Sequence, residues 1–108
     1  MNLLLDTHAF IWLDLFPERL SNVAYEALID EENKLYLSVA SVWEMQIKMQ
    51  LGKLSLSAGL ESTVEKQQKI NGIILLSMES AHVYELTSLA NHHRDPFDRI
   101  LMAQSIKE

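Results

Sequence analysis

No cysteine occurs among the 108 residues. Disulfides and thiolate metal sites are thereby excluded, and the composition suits a reducing, cytoplasmic setting. No apolar run approaches the length that spans a bilayer, so no membrane attachment is expected. A signal peptide is not expected either, because no basic region precedes the first apolar run and Asp6 and His8 interrupt it. Positive charge is scarce: 9 Lys and Arg stand against 15 Asp and Glu, a formal net charge of −6. That balance disfavours strong sequence-independent nucleic-acid binding, which relies on clustered cations. It leaves a nuclease open, since acids that hold metal ions add to the negative total and the ions attract phosphate. A glycine-rich phosphate loop is missing as well, and no histidine is identifiable as the partner of Ser38 or Ser41. His92 and His93 are adjacent rather than four apart, which makes a weak zinc pattern.

What is present is a hydrophobic content of 48%, enough for one globular domain over residues 1–108. The opening stretch Leu3-Leu4-Leu5-Asp6-Thr7-His8 reads as a buried strand over 2–6 that delivers an acid to the rim of a sheet. A helix is expected over 7–15, ended by Pro17. Ser21 is a natural N-cap for a second helix running to about 31. The acidic stretch 30–34 reads as a turn and 35–38 as a second strand. A helix over 41–51 stops at Gly52, and a polar helix over 60–71 stops at Gly72. The charged helix 60–71 reads as a solvated face. A third strand over 73–76, a helix over 79–89, a polar loop over 91–94 and a last helix capped by Asp95, with Pro96 at its first position, complete the chain. Strands alternating with helices predict an α/β fold with a mainly parallel sheet.

In such a layout each helix begins at the edge where the preceding strand ends, and ligand sites collect there. Asp6 at the end of the first strand, Glu44 in the first turn of the helix after the second, and Asp95 and Asp98 at the start of the last helix are therefore expected near one rim. Glu44 shares a helical stripe with Ile47 and Leu51, and Asp98 with Leu101, Met102 and Ser105, positions that are ordinarily apolar. Each acid also has a plain structural reading. Ser41-x-x-Glu44 matches a capping box, and Glu44 is placed to pair with Lys48. Asp95 is a good N-cap, Asp98 favours the helix dipole, and Asp6 suits a cap of the first helix. Several carboxylates at one rim, however, repel one another unless protonated or bridged by cations. An all-oxygen set suits Mg²⁺ or Mn²⁺, which points to metal-dependent phosphodiester cleavage. His92 and His93, with Arg94 and Arg99, are candidates for holding a phosphate backbone.

Four blocks occur in order: Leu3-Leu-Leu-Asp-Thr-His8, Tyr36-Leu-Ser-Val-Ala-Ser-Val-Trp-Glu-Met-Gln-Ile-Lys48, Leu51-Gly-Lys-Leu54 and His93-Arg-Asp-Pro-Phe-Asp-Arg-Ile-Leu-Met-Ala-Gln104. Over essentially the whole chain this resembles a PIN domain, specifically the VapC-type toxin ribonucleases of bacterial toxin–antitoxin pairs. The resemblance implies a PIN-like, mainly parallel sheet flanked by helices. It implies an endoribonuclease site whose three main acids are Asp6, Glu44 and Asp98, holding Mg²⁺ or Mn²⁺ and leaving 5′-phosphate and 3′-hydroxyl ends. Thr7 matches the position that supports the first acid, and Asp95 is typical of the subgroup as a supporting acid. RNA as substrate, a cognate antitoxin that blocks the site and a homodimer are further implications. The resemblance also sets a departure: family members continue past this point through a strand carrying a fourth acid and a final strand. The C-terminal strands and that acid are therefore expected to be missing, with the edge of the first strand bare and prone to pair with another chain. The alternative is a truncated, catalytically inactive module that binds an antitoxin or another protein.

Overall fold

The computed structural model describes residues 2–85. Within them lie three strands and five α-helices: β1 (Asn2–Leu5), α1 (Thr7–Leu15), α2 (Asn22–Ile29), β2 (Lys34–Ser38), α3 (Val39–Gln50), α4 (Leu60–Asn71), β3 (Ile74–Leu76) and α5 (Ser80–Glu85). The strands form one parallel sheet in the order β1-β2-β3, flanked by the helices. Leu3 stands opposite Leu35 and Leu5 opposite Leu37, while Leu37 is paired on its other side with Leu75. The middle strand is accordingly the most enclosed, and Leu35 and Leu37 are fully buried. Among the described residues β1 pairs with β2 alone. The core gathers Leu5, Phe10, Leu13, Leu28, Leu35, Leu37, Met45, Val64 and Ile73.

Local chemistry explains most of the element boundaries. Asp6 has extended backbone and accepts a hydrogen bond from the Ala9 N–H at 2.6 Å, so α1 starts directly after β1. Pro17 opens a short 3₁₀ turn, Pro17–Arg19, once α1 has ended at Leu15. Ser21 caps α2 through the Ala24 N–H at 3.1 Å. Helix α4 ends on Gly72, whose φ of 64° lies in the left-handed region that glycine reaches without strain.

The structure departs from expectation in α3, α4 and β3. Helix α3 starts at Val39, not at Ser41, because Ser38 closes β2 and caps the helix at once, accepting from the Ala40 N–H at 3.0 Å. Ser41 and Glu44 therefore form no capping box, and Glu44 lies in the second turn rather than the first. The buried face of α3 runs through Ala40, Ser41, Glu44 and Met45; Leu51, expected on the stripe of Glu44, is exposed. The solvated reading of α4 also holds for only part of its surface. Thr63, Val64 and Gln67 are buried, and Gln67 donates to Asp14 of α1 at 2.8 Å. Strand β3 is one residue shorter than expected, with Ile73 ahead of it packed in the core.

Candidate functional site

Two of the strand-to-helix joints at the C-terminal edge of the sheet, those after β1 and β2, are tight. At the first, Asp6 alone separates Leu5 from α1; at the second, Ser38 is both the last strand residue and the cap of α3. Since Leu5 and Leu37 are partners across the sheet, the two joints lie side by side. The helices that leave them bring their N-termini, and with them the positive end of the helix dipole, to the same edge.

Consecutive residues at the first joint face different environments. The Asp6 side chain is exposed, whereas Thr7 is 3% exposed. One Asp6 oxygen, Oδ1, is occupied by the cap; Oδ2 has no hydrogen-bond partner among the described residues. The Thr7 hydroxyl points inward and donates to Glu44 Oε1 at 2.7 Å, linking residues 37 apart in the chain. The other Glu44 oxygen, Oε2, meets the Lys48 ammonium at 2.9 Å, one turn further along α3. Glu44 is thus a buried carboxylate, 7% exposed, gripped from both ends. A buried carboxylate left unpaired would be costly, so the two contacts explain how α3 tolerates an acid on its inner face.

Ser41 lies on the same face, one turn before Glu44 and Met45. It is fully buried, and its Oγ has no hydrogen-bond partner, the single buried side-chain atom of that kind among the described residues. Sequence reasoning had assigned this hydroxyl to a cap and so missed it as an orphan. Helix α3 itself is held firmly at its far end. The Gly52 N–H bonds to the Met49 carbonyl at 3.1 Å, the Lys53 N–H bonds to the Lys48 carbonyl at 2.8 Å, and Gly52 has a φ of 74°. This paired closure fixes the stretch that carries Glu44 and Lys48.

The structure joins Thr7, Glu44 and Lys48 by direct contacts, with Asp6 next to Thr7 in the chain. Asp95 and Asp98, together with His92, His93, Arg94 and Arg99, lie outside the described residues. Among the described residues no group of three or more His, Asp or Glu side chains is arranged to hold a metal ion. The donor chemistry at the edge nevertheless fits a hard divalent cation. Asp6 offers an open carboxylate oxygen, and each Glu44 oxygen keeps a second lone pair beyond its present contact. No helix among the described residues is long and apolar enough to cross a membrane.

No curated protein and no solved structure gives a significant match to the chain. The family model for the PIN domain does, over residues 3–108. PIN domains are generally nucleases and typically use divalent metals. A parallel sheet with an acid directly after its first strand, and a second acid on the helix after the second strand tied to the neighbouring Thr7, accords with that match: the chain belongs to the PIN domain family.

Proposed function

We propose that this chain is a metal-dependent endoribonuclease of the VapC type, the toxin of a toxin–antitoxin pair. The observation that carries the reading is the junction of Asp6 and Thr7 with Glu44 at one sheet edge, fixed by the 2.7 Å hydrogen bond from Thr7, in a chain of the PIN family. Asp6, Glu44 and Asp98 would hold Mg²⁺ or Mn²⁺. When bound, such an ion supplies an activated water and charge stabilisation for hydrolysis at phosphorus. The protein's own part is positional. Asp6 is oriented by its cap contact, and Thr7 fixes Oε1 of Glu44. Asp95 supports Asp98, and His93, Arg94 and Arg99 contact the RNA backbone. Cleavage leaves 5′-phosphate and 3′-hydroxyl ends. A cognate antitoxin blocks the site, the protein acts in the cytoplasm, and the toxin works as a homodimer.

Replacing Asp6 by Asn is the direct test. Asn caps a helix about as well as Asp, so folding stability should change by less than about 0.5 kcal/mol. Mn²⁺-dependent cleavage of a structured RNA should fall by more than about 100-fold. Undiminished metal-dependent cleavage by the variant would overturn the assignment. Antitoxin capture by a wild-type chain that cuts no RNA would instead identify a binding module.

A further inference from the structure

Lys48 holds one oxygen of the candidate metal ligand Glu44, and nothing in the proposed hydrolysis requires it to do so. Its ammonium lies 2.9 Å from Oε2, in the place where a cation on Glu44 belongs. The two grips on this carboxylate differ in kind. Thr7 is buried at the first position of α1 and has a short side chain, so its hold on Oε1 is fixed. Lys48 has a long flexible stem, and its side chain is 33% exposed against 9% for that of Glu44. Its ammonium can therefore withdraw to water without moving α3, which the turn at Gly52 anchors. Among the described residues Lys48 is the one cation paired with Glu44.

Resting on the metal-dependent reading proposed above, we infer that Lys48 is a built-in stand-in cation: it neutralises Glu44 Oε2 in the metal-free protein and is displaced when a divalent ion binds. It is a positioning residue and contacts no reacting atom. A divalent ion and an ammonium on the same carboxylate repel each other, so binding has to expel Lys48 from Oε2 or work against it. The resting protein avoids a bare buried charge, and the site's metal affinity is lowered in return.

The experiment measures Mn²⁺ binding to the full chain at pH 8, by electron paramagnetic resonance of the free ion, for wild type, Lys48→Met, Lys48→Arg and Asp6→Asn. Lys48→Met should bind Mn²⁺ more tightly, on the order of ten-fold, the scale on which a single neighbouring charge shifts an ionic equilibrium. Lys48→Arg, which keeps the charge, should stay near wild type. Equal or weaker binding by Lys48→Met overturns the inference while leaving the metal site standing. Binding by Asp6→Asn as tight as by wild type removes the metal reading itself, and the inference with it. A second readout needs no variant: the ¹⁵Nζ resonance of Lys48 in the wild-type protein should shift in step with Mg²⁺ saturation. A resonance unchanged through saturation overturns the displacement.

Discussion

Helices α1 and α3 each bury a carboxylate and each pairs it with a lysine, yet the two arrangements are built for different ends. Asp14 of α1, with its side chain 5% exposed, meets Lys66 at 2.8 Å and accepts from Gln67 at 2.8 Å. Gln67 in turn accepts from Asn71 at 2.6 Å, so a chain of partners runs down α4. No buried polar side-chain atom of that seam lacks a partner. Glu44 of α3 lies instead at the edge where the strands end, with an exposed carboxylate at Asp6 beside its Thr7 partner and the orphan hydroxyl of Ser41 on its own helical face. A polar network whose members satisfy one another rigidifies a seam and leaves nothing for a ligand. A network with a spare oxygen, a withdrawable lysine and an unmatched hydroxyl keeps capacity in hand, and such unmatched groups call for a functional explanation.

Substitutions can break this contrast from either side. Asp14→Ala should have the largest effect on folding. It strands the buried Gln67 amide, which should cost about 2–3 kcal/mol in urea unfolding, while RNA cleavage per folded molecule stays unchanged. A loss of cleavage beyond the loss of folded protein would mean that the α1–α4 seam also serves the site. Thr7→Val, which keeps the shape and deletes the donor, should cost about 1–2 kcal/mol. Unlike Asp14→Ala, it should also weaken Mn²⁺ binding by about 10- to 100-fold, as the loss of a group that orients a ligand does. Titration calorimetry showing wild-type affinity would reduce the Thr7 contact to a structural tie. Ser41→Ala should have the smallest effect and the opposite sign. Removing an unpaired buried hydroxyl from a helix should stabilise the protein by about 1 kcal/mol, seen as a higher midpoint in the same urea series. A destabilised variant would show that the hydroxyl has a partner in solution.

The same contrast explains what could be read in advance. The first strand, one residue shorter than expected, helix α1 with its bounds at 7 and 15, the Ser21 cap and the stop at Gly72 were legible, because each depends on neighbours in sequence. The ion pair of Glu44 with Lys48 was legible for the same reason, being four residues apart on one helix. The start of α3 was misread because Ser38 and Ser41 are equally good caps by type. The strand was expected to end at Ser38, as it does, but the Ala40 N–H contact shows that this same serine also caps the helix with no residue between. The buried face of α4 was misread because two of its three buried residues, Thr63 and Gln67, are polar. Thr63 returns its hydroxyl to the Gly59 carbonyl at 2.8 Å, and Gln67 finds Asp14 from 53 residues away. Hydrophobic periodicity does not register a face buried through self-satisfied polar groups. The Thr7–Glu44 bond lay out of reach for a related reason, since it spans two joints that meet only once the sheet is assembled. Asp98 and Asp95, the remaining acids of the proposed site, lie beyond residue 85, where the described residues end.

The direct passage from β1 through a single residue into α1, and from β2 into α3 with none between, has a consequence for how this edge tolerates change. Loops absorb added or deleted residues because slack separates them from the elements they join. Here there is no slack. One residue added ahead of Asp6 would turn its successors to the opposite side of the strand and rotate α1 by about 100°, carrying the Thr7 hydroxyl away from Glu44. The edge is therefore open to point substitution but closed to changes of length. Variation in what the site admits has to come from side chains here, or from segments of the chain that are not part of these two joints.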